Sequence, residues 1–453
     1  MTRIYPQFIV AKFGGTSVAD FDAMNRSASI VLADPNVRLV VLSASAGVTN
    51  LLVELSEGLE SHLQFDKLET LRTIQYNIIS RLKNPSIIST EIDNLLENIG
   101  RLAHIAMTSP STALSDELVS HGELMSSLLF TEVLRERGVE ASWFDARSVM
   151  RTDSNYGCAE PDVTTLAELA ELHLRPRIEQ AIMITQGFIG RDESGHTTTL
   201  GRGGSDYTAS LLGEALHAAR VDIWTDVAGI YTTDPRIAPK AKRIDSISFS
   251  EASDMAAYGA KVLHPATLMP AMRKNIPVFV GSSKDTAAGG TLVCCTTENP
   301  PSYRAVAVRR KQTLVRLHSL NAQPSYRFLA QIFALLEQHT VAADLVTTSE
   351  NSIALALDST NATSGEDPTL TTALFTALSS HCRVEVETGL ALITLIGNQL
   401  TQASSVCKDV FARFDEHAVR MICHGASSNN LCFLLPGDVA DSAVKALHQR
   451  LFE

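Results

Sequence analysis

The stretch Lys12-Phe13-Gly14-Gly15-Thr16-Ser17-Val18 directly follows the apolar run Phe8-Ile9-Val10-Ala11. A strand running into two glycines and two hydroxyls lets backbone N–H groups close on an anion, because glycine has no Cβ to hold the anion away. Lys12, at the end of the strand, adds a fixed positive charge beside it. Alone, Lys-x-Gly-Gly is also compatible with an ordinary strand end. A second stretch shifts the reading: Thr197-Thr198-Thr199-Leu200-Gly201-Arg202-Gly203-Gly204-Ser205-Asp206. Two glycine loops with Lys, Arg and Asp, far apart in the chain, fit a phosphoryl-transfer site assembled from distant segments. In such chemistry positioning and charge stabilisation dominate, and the protein supplies no nucleophile. The P-loop pattern Gly-x4-Gly-Lys-Ser/Thr is absent, and the 201–206 loop lacks the last glycine of Gly-x-Gly-x-x-Gly.

Other segments offer polar groups near strand ends. The strand 38–43 runs into Ala44-Ser45-Ala46-Gly47-Val48-Thr49-Asn50, and open α/β sheets bind ligands at such C-terminal edges. In the segment 114–124, Ser115 reads as a helix start with acids in the first turn. Glu117 and Glu123 lie about 240° apart around a helix and cannot share one site. Glu123, after Gly122, is the better candidate for inward placement, although a helical Glu is ordinarily exposed. In Tyr258-Gly259-Ala260-Lys261-Val262-Leu263-His264-Pro265, Lys261 is either a phosphate-reaching or a solvated lysine, and His264 reads as a packed histidine. The seven cysteines are odd in number and lack paired ligand spacing, with Cys294-Cys295 at a strand end. Reduced thiols of a cytoplasmic protein are expected.

The elements that must position these residues alternate. Helical spacing at 20–32, 51–107 and 207–218 is interleaved with apolar runs at 139–144, 181–185 and 221–231, closed by 276–280 and 291–293. That order predicts a mainly parallel sheet sandwiched by helices. A length of 453 residues implies two or more domains. A net charge of -12 argues against nucleic acid or an anionic membrane as a general partner. No apolar run approaches the ~18 residues of a membrane-spanning helix, and no signal-peptide pattern opens the chain. After Pro300-Pro301 a repeat appears at an offset of 78 residues: Ser349-x-Asn351-x-Ile353-x-Leu355 against Ser427-x-Asn429-x-Leu431-x-Phe433, with Phe333 and His339 against Phe411 and His417. Each copy reads as a small α+β module, and the two are expected in tandem.

Taken together, Lys12 to Val18, Gly201 to Asp206, Thr225-Asp226 with Tyr231, and Asp234-Pro235-Arg236 resemble the aspartokinases of the amino-acid kinase family. The tandem tail and Thr347-Thr348-Ser349-Glu350 are similar to the monofunctional, lysine-sensitive branch. The resemblance implies an amino-acid-kinase catalytic domain over 1–297 and two ferredoxin-like ACT modules, over 298–388 and 389–453. It implies phosphorylation of the side-chain carboxylate of L-aspartate by ATP with Mg²⁺, and feedback inhibition by L-lysine. Lys12 and Asp206 would be catalytic, with Asp206 orienting Lys12. Arg202 would clamp the substrate α-carboxylate and Glu123 the α-ammonium, beside Ser43, Thr49 and Phe188. Lys12, Gly14, Gly15, Thr16, Ser17, Thr225, Asp226, Tyr231, Arg236 and Lys261 would hold the nucleotide, with the glycine amides cradling phosphate. The lysine site would fall on Ala322, Ser325, Phe328, Leu329, Ala343, Asp344, Ser349 and Glu350. No protein-borne metal cage is implied.

Two other readings stay open on the residues. One keeps the fold but changes the acceptor to glutamate, acetylglutamate, carbamate or UMP; the other is a nonenzymatic amino-acid sensor. The resemblance also implies a homodimer that can form a tetramer.

Overall fold

A computed structural model describes residues 7–259, 263–320, 325–358, 370–402, 406–411 and 418–453. By its contacts the chain divides into two compact units, one of residues 1–230, 243–253 and 261–297, the other of residues 231–242, 254–260 and 298–453. No helix among the described residues is long and apolar enough to cross a membrane.

The first unit is built on strands β1 (Ile9–Phe13), β2 (Val37–Leu42), β3 (Ala141–Phe144) and β4 (Ile182–Gln186), then the hairpin of β5 (Ile189–Arg191) and β6 (Thr197–Thr199), then β7 (Arg220–Thr225), β8 (Ser246–Ser248), β9 (Val278–Ser282) and β10 (Gly290–Cys294). Apart from the hairpin they form one eight-stranded sheet in the order β3-β4-β2-β1-β7-β9-β10-β8. Neighbours run parallel except for β9 and β10. Every residue of β1 is buried, and all but Lys12 are apolar, which suits a central strand covered on both faces. Its neighbours β2 and β7 lead the chain in opposite directions across the sheet, which opens a crevice at their C-terminal ends.

The helices are α1 (Phe21–Ala33), α2 (Val48–Ser56), α3 (Ser61–Ile79), α4 (Ser86–Ala106), α5 (Thr112–Glu136), α6 (Val163–Leu169), α7 (Arg175–Ile178), α8 (Gly204–Ala215), α9 (Phe249–Ala257) and α10 (Pro265–Lys274). Ile9, Ala11 and Phe13 of β1 pack with Met24 of α1, Leu52 of α2 and Phe130 of α5 in the main core. The two-residue period of a strand therefore turns Lys12 to the other face, toward α8. Two helix starts differ from expectation. Ser111 caps α5 by accepting the Leu114 N–H at 3.2 Å, so the helix begins a turn before Ser115. Gly203 (φ +75) caps α8, which begins at Gly204 rather than near 207 and so places Asp206 in its first turn.

The second unit runs β11 (Tyr303–Ser319), α11 (Ser325–Gln338), β12 (Leu345–Thr348), β13 (Ser352–Asp358), α12 (Thr372–Ser379), β14 (Cys382–Gly397), α13 (Val406–Phe411), β15 (Met421–His424), β16 (Asn430–Pro436) and α14 (Ala440–Phe452). Its antiparallel sheet has the order β12-β13-β11-β14-β16-β15. The long strands β11 and β14 each belong to two modules. Beyond Gln312, β11 pairs with β13 and with residues 382–387 of β14, and Val315 and Leu317 pack with Phe328, Ile332, Leu355 and Leu374. Up to Arg309, β11 pairs with residues 392–397 of β14, and Val306 packs with Ile393, Val406, Phe433 and Val444. The expected tandem order, 298–388 then 389–453, therefore gives way to nesting: the first module is inserted into the second. The reason lies in strand count. Among the described residues, those from 390 onward bring only three strands of their own, and residues 303–309 supply the fourth. The repeat noted in the sequence does mark equivalent places, with Ile353 and Leu355 on β13 matching Leu431 and Phe433 on β16. His417 lies outside the described residues.

Candidate active site

At the C-terminal ends of the central strands a cavity of about 280 Å³ is lined by Lys12, Ser43, Thr49, Glu123 and Phe188 and closed by residues 201–206. Six segments converge there: β1, the turn after β2, the start of α2, the middle of α5, the link between β4 and β5, and the loop into α8. Lys12 Nζ lies 2.5 Å from Asp206 Oδ1, and both side chains are largely buried. A Cβ on Gly14 would stand 3.5 Å from Lys12 Nζ, an ordinary contact, so the ammonium does not itself require glycine there.

Glu123 is buried rather than exposed, at 3% accessibility. Its Oε1 accepts the Ala44 N–H at 3.0 Å, while Oε2 is buried with no partner among the described residues. Burial pushes its carboxyl up to about 8, against the opposing pull of the Ala44 and Glu123 amides and the Lys12 ammonium. A buried carboxylate oxygen with nothing to bind is a receptor for a cation. Gly122 allows the helix to approach this closely, since a Cβ there would meet Ala44 Cβ at 2.7 Å. Across the cavity Arg202 is exposed and makes no hydrogen bond or ion pair with another described residue, so its planar donor face is free for a carboxylate. The site thus offers a free guanidinium, a free carboxylate oxygen and an ammonium held by Asp206.

The expected nucleotide residues are less uniform. The Gly14 N–H is not free to cradle phosphate: it donates to the Trp224 carbonyl at 3.1 Å, extending the β1–β7 pairing. Gly15 is required by close packing, because a Cβ would meet the Ala44 carbonyl oxygen at 2.8 Å. Thr16 is exposed, whereas Ser17 is buried with its hydroxyl bonded to that of Ser283 at 2.7 Å. Thr225 ends β7; its carbonyl accepts from the Ser283 N–H, and its hydroxyl reaches exposed Asp226 at 3.3 Å. Tyr231 and Arg236 belong by their contacts to the second unit, where Arg236 forks onto Asp234 at 2.7 Å. Lys261 lies outside the described residues.

The expected lysine site divides in the same way. Phe328 is a core side chain, with only its backbone left to contact a ligand, and Leu329 and Ala343 are half-buried. Asp344 is engaged by Arg309 at 3.0 Å. Ser349 and Glu350 are exposed at the turn between β12 and β13, where the Ser349 hydroxyl bonds that of Ser352 at 2.6 Å. Ser325 begins α11, and Ala322 lies outside the described residues.

Two further residues hold the site together. The Ser126 hydroxyl donates to the Ser43 carbonyl at 2.8 Å and ties the turn after β2 to α5. Asp116, buried, accepts from the Thr199 N–H at 2.8 Å, the Thr199 hydroxyl at 2.9 Å and the Gly157 N–H at 2.9 Å. The spacing of seven between Asp116 and Glu123 puts both on one face of α5, and that was the signal available in the sequence.

Residues 7–282 match the amino acid kinase family and residues 393–451 the ACT domain. The lysine-sensitive aspartokinase 3 of Escherichia coli (strain K12) is 63% identical over 447 residues, covering 99% of this chain and 100% of that one. The chain belongs to the aspartokinases of the amino acid kinase family. Among solved aspartokinases, E. coli aspartokinase III in complex with aspartate and ADP (R-state) superposes with a TM-score of 0.93, and the same enzyme with lysine and aspartate (T-state) with 0.84. Each structure is 63% identical and covers 99% of this chain and 100% of its own. The ACT match begins at residue 393 and so omits the strand 303–309 that completes that module's sheet.

Proposed function

We propose that this aspartokinase transfers the γ-phosphoryl group of ATP to the side-chain carboxylate of L-aspartate, giving 4-phospho-L-aspartate, and that L-lysine inhibits it. The observation that carries the reading is the pairing of free Arg202 with the unpartnered Glu123 oxygen in one cavity beside Lys12 and Asp206. An α-amino acid has a carboxylate and an ammonium to match those two groups, and its side chain is left pointing to Lys12. The similar E. coli structures with aspartate and ADP, and with lysine, support the same ligands.

The acceptor carboxylate is already ionised at neutral pH, so no general base is needed. Lys12 neutralises charge that builds on the transferring phosphoryl group, and Asp206 holds the ammonium in place at 2.5 Å. Ser43 from the turn after β2, Thr49 from the start of α2 and Phe188 line the cavity that takes the substrate. Within the first unit, Thr16 and the exposed Asp226 beside Thr225 are the groups left to meet the nucleotide. Mg²⁺ would come bound to the phosphates of the nucleotide and would neutralise part of their charge. For lysine, Glu350 is the free carboxylate for the amine, with backbone at Phe328 and Ala343 for the amino-acid ends.

A homo-oligomer is supported by apolar surface on the first module: Tyr326 and Phe333, a heptad apart on α11, and Phe375 on α12 are 65%, 42% and 40% exposed. Sedimentation velocity of the intact chain should show a dimer or larger species, and a monomer at micromolar concentration would remove this part.

An ADP-coupled assay with aspartate, glutamate, acetylglutamate, carbamate and UMP as acceptors tests the activity. Turnover is expected with aspartate, inhibited by millimolar lysine, and Lys12→Ala is expected to lower kcat by ~10²–10³. Turnover on another acceptor alone would move the reading to a different member of the family. No turnover at all would leave a sensor.

A further inference from the structure

We propose that Asp116 is the positioning residue that fixes Arg202 relative to Glu123, and so sets which length of amino acid the site accepts. The inference rests on the aspartate reading of the cavity and adds to it the element that spaces the two recognition groups. Glu123 sits on α5, which packs in the main core and cannot easily shift. Arg202 sits in a loop whose glycines give the backbone no rigidity of its own: Gly201 and Gly203 both have positive φ, +71 and +75. Something must pin that loop.

Asp116 does so from the same helix that carries Glu123. Seven residues are two turns, about 10 Å along the axis and on one face. From there its carboxylate takes the N–H and the hydroxyl of Thr199, three residues before Arg202. Its Oδ2 also takes the Gly157 N–H, and the Gly157 carbonyl lies 3.1 Å from where a Cβ on Gly201 would stand. The Thr199 carbonyl in turn accepts the Ala159 N–H at 2.8 Å, so Thr199 is held on both sides. One carboxylate therefore joins α5, the strand leading into the arginine loop, and the loop packed under Gly201. The distance from the ammonium receptor to the carboxylate clamp is carried by this tether.

Asp116 does not line the cavity, and a purely structural role predicts a uniform loss of stability. The two are separated by steady-state kinetics on the full chain. Asp116→Ala is expected to raise KM for aspartate ~10-fold or more, with KM for ATP within about 2-fold and the aspartate-over-glutamate preference reduced. Asp116→Asn is expected to restore KM for aspartate, because its amide oxygen can take both N–H groups and its amide nitrogen can donate to the Thr199 hydroxyl, which then accepts. If Asp116→Ala fails to fold, Thr199→Val, which removes the hydroxyl contact alone, should give a smaller rise of the same selectivity. Unchanged KM for aspartate in the folded variants, or equal losses for aspartate and ATP with no rescue by Asn, would overturn the tether. Aspartate turnover by the unmodified chain, measured alongside, reports separately on the activity itself.

Discussion

Glu123 shows how much chemistry one residue's surroundings can set. Its carboxyl, about 4.5 in an unburied glutamate, is pushed up to about 8 by burial. At neutral pH the ligand-free side chain is therefore largely protonated, while an ammonium ligand needs it ionised. KM for aspartate is expected to fall as pH rises from 6.5 to 8.5, by at most ~10-fold per unit. Glu123→Gln should raise KM on the order of 30-fold and flatten that pH dependence. A wild-type KM independent of pH over this window would show that Glu123 does not meet the ammonium. The same shift acts on stability with a definite sign. Between about 4.5 and about 8 the folded protein holds a proton that the unfolded chain has released, so this group makes ligand-free stability fall as pH rises. Saturating aspartate should oppose that fall, and melting curves at pH 6 and 8.5 with and without it provide the check. The burial of Glu123 ran against the exposure ordinary for a helical Glu, whereas the meeting of Lys12, Arg202 and Asp206 in one cavity was legible from residue type beside glycine. The use of the Gly14 amide by Trp224, and of the Ser17 hydroxyl by Ser283, was not, since those partners come from strands more than 200 residues away.

At the scale of elements, the site depends on backbones that approach more closely than side chains permit. A Cβ on Gly187 would meet Ser205 Cβ at 2.5 Å, just before Asp206 in the first turn of α8. Gly187→Ala should push that turn away, with kcat lowered ~10²-fold as Asp206 leaves Lys12. Gly47 offers the contrast. It has φ +83 at the start of α2 but nothing within 4 Å of a Cβ, so Gly47→Ala meets only backbone strain. That strain is roughly 1 kcal/mol, with a melting temperature lower by about 2 °C. Comparable kinetic damage from both substitutions would argue against close packing as the cause. The alternation of strands and helices gave the parallel sheet its signature in the sequence. Helix starts were harder, because Ser111 and Ser115 are both plausible caps and only the packing of α5 selects between them.

At the scale of the whole molecule, two contact-defined units emerge where composition led us to expect at least two domains, but the boundary within the tail was not legible. A repeat at fixed offset looks the same whether its copies stand in sequence or one sits inside the other. Only the pairing of residues 303–309 with 392–397 distinguishes them. The cores of the two copies are nonetheless separate, Phe328 with Leu355 in one and Ile393 with Phe433 in the other.

Arg309 and Leu392 are cross-strand partners, so the polypeptide enters and leaves the inner copy at almost one point. It is a cassette. Excising 312–388 and closing the gap with a short glycine turn, which need bridge only about 5 Å between strands, should leave phosphotransfer intact and abolish the response to lysine. Persisting lysine inhibition in that deletion would place the effector elsewhere. Truncation after residue 388 takes the opposite route: it strands 303–309 without a sheet, and aggregation of the product is expected in gel filtration.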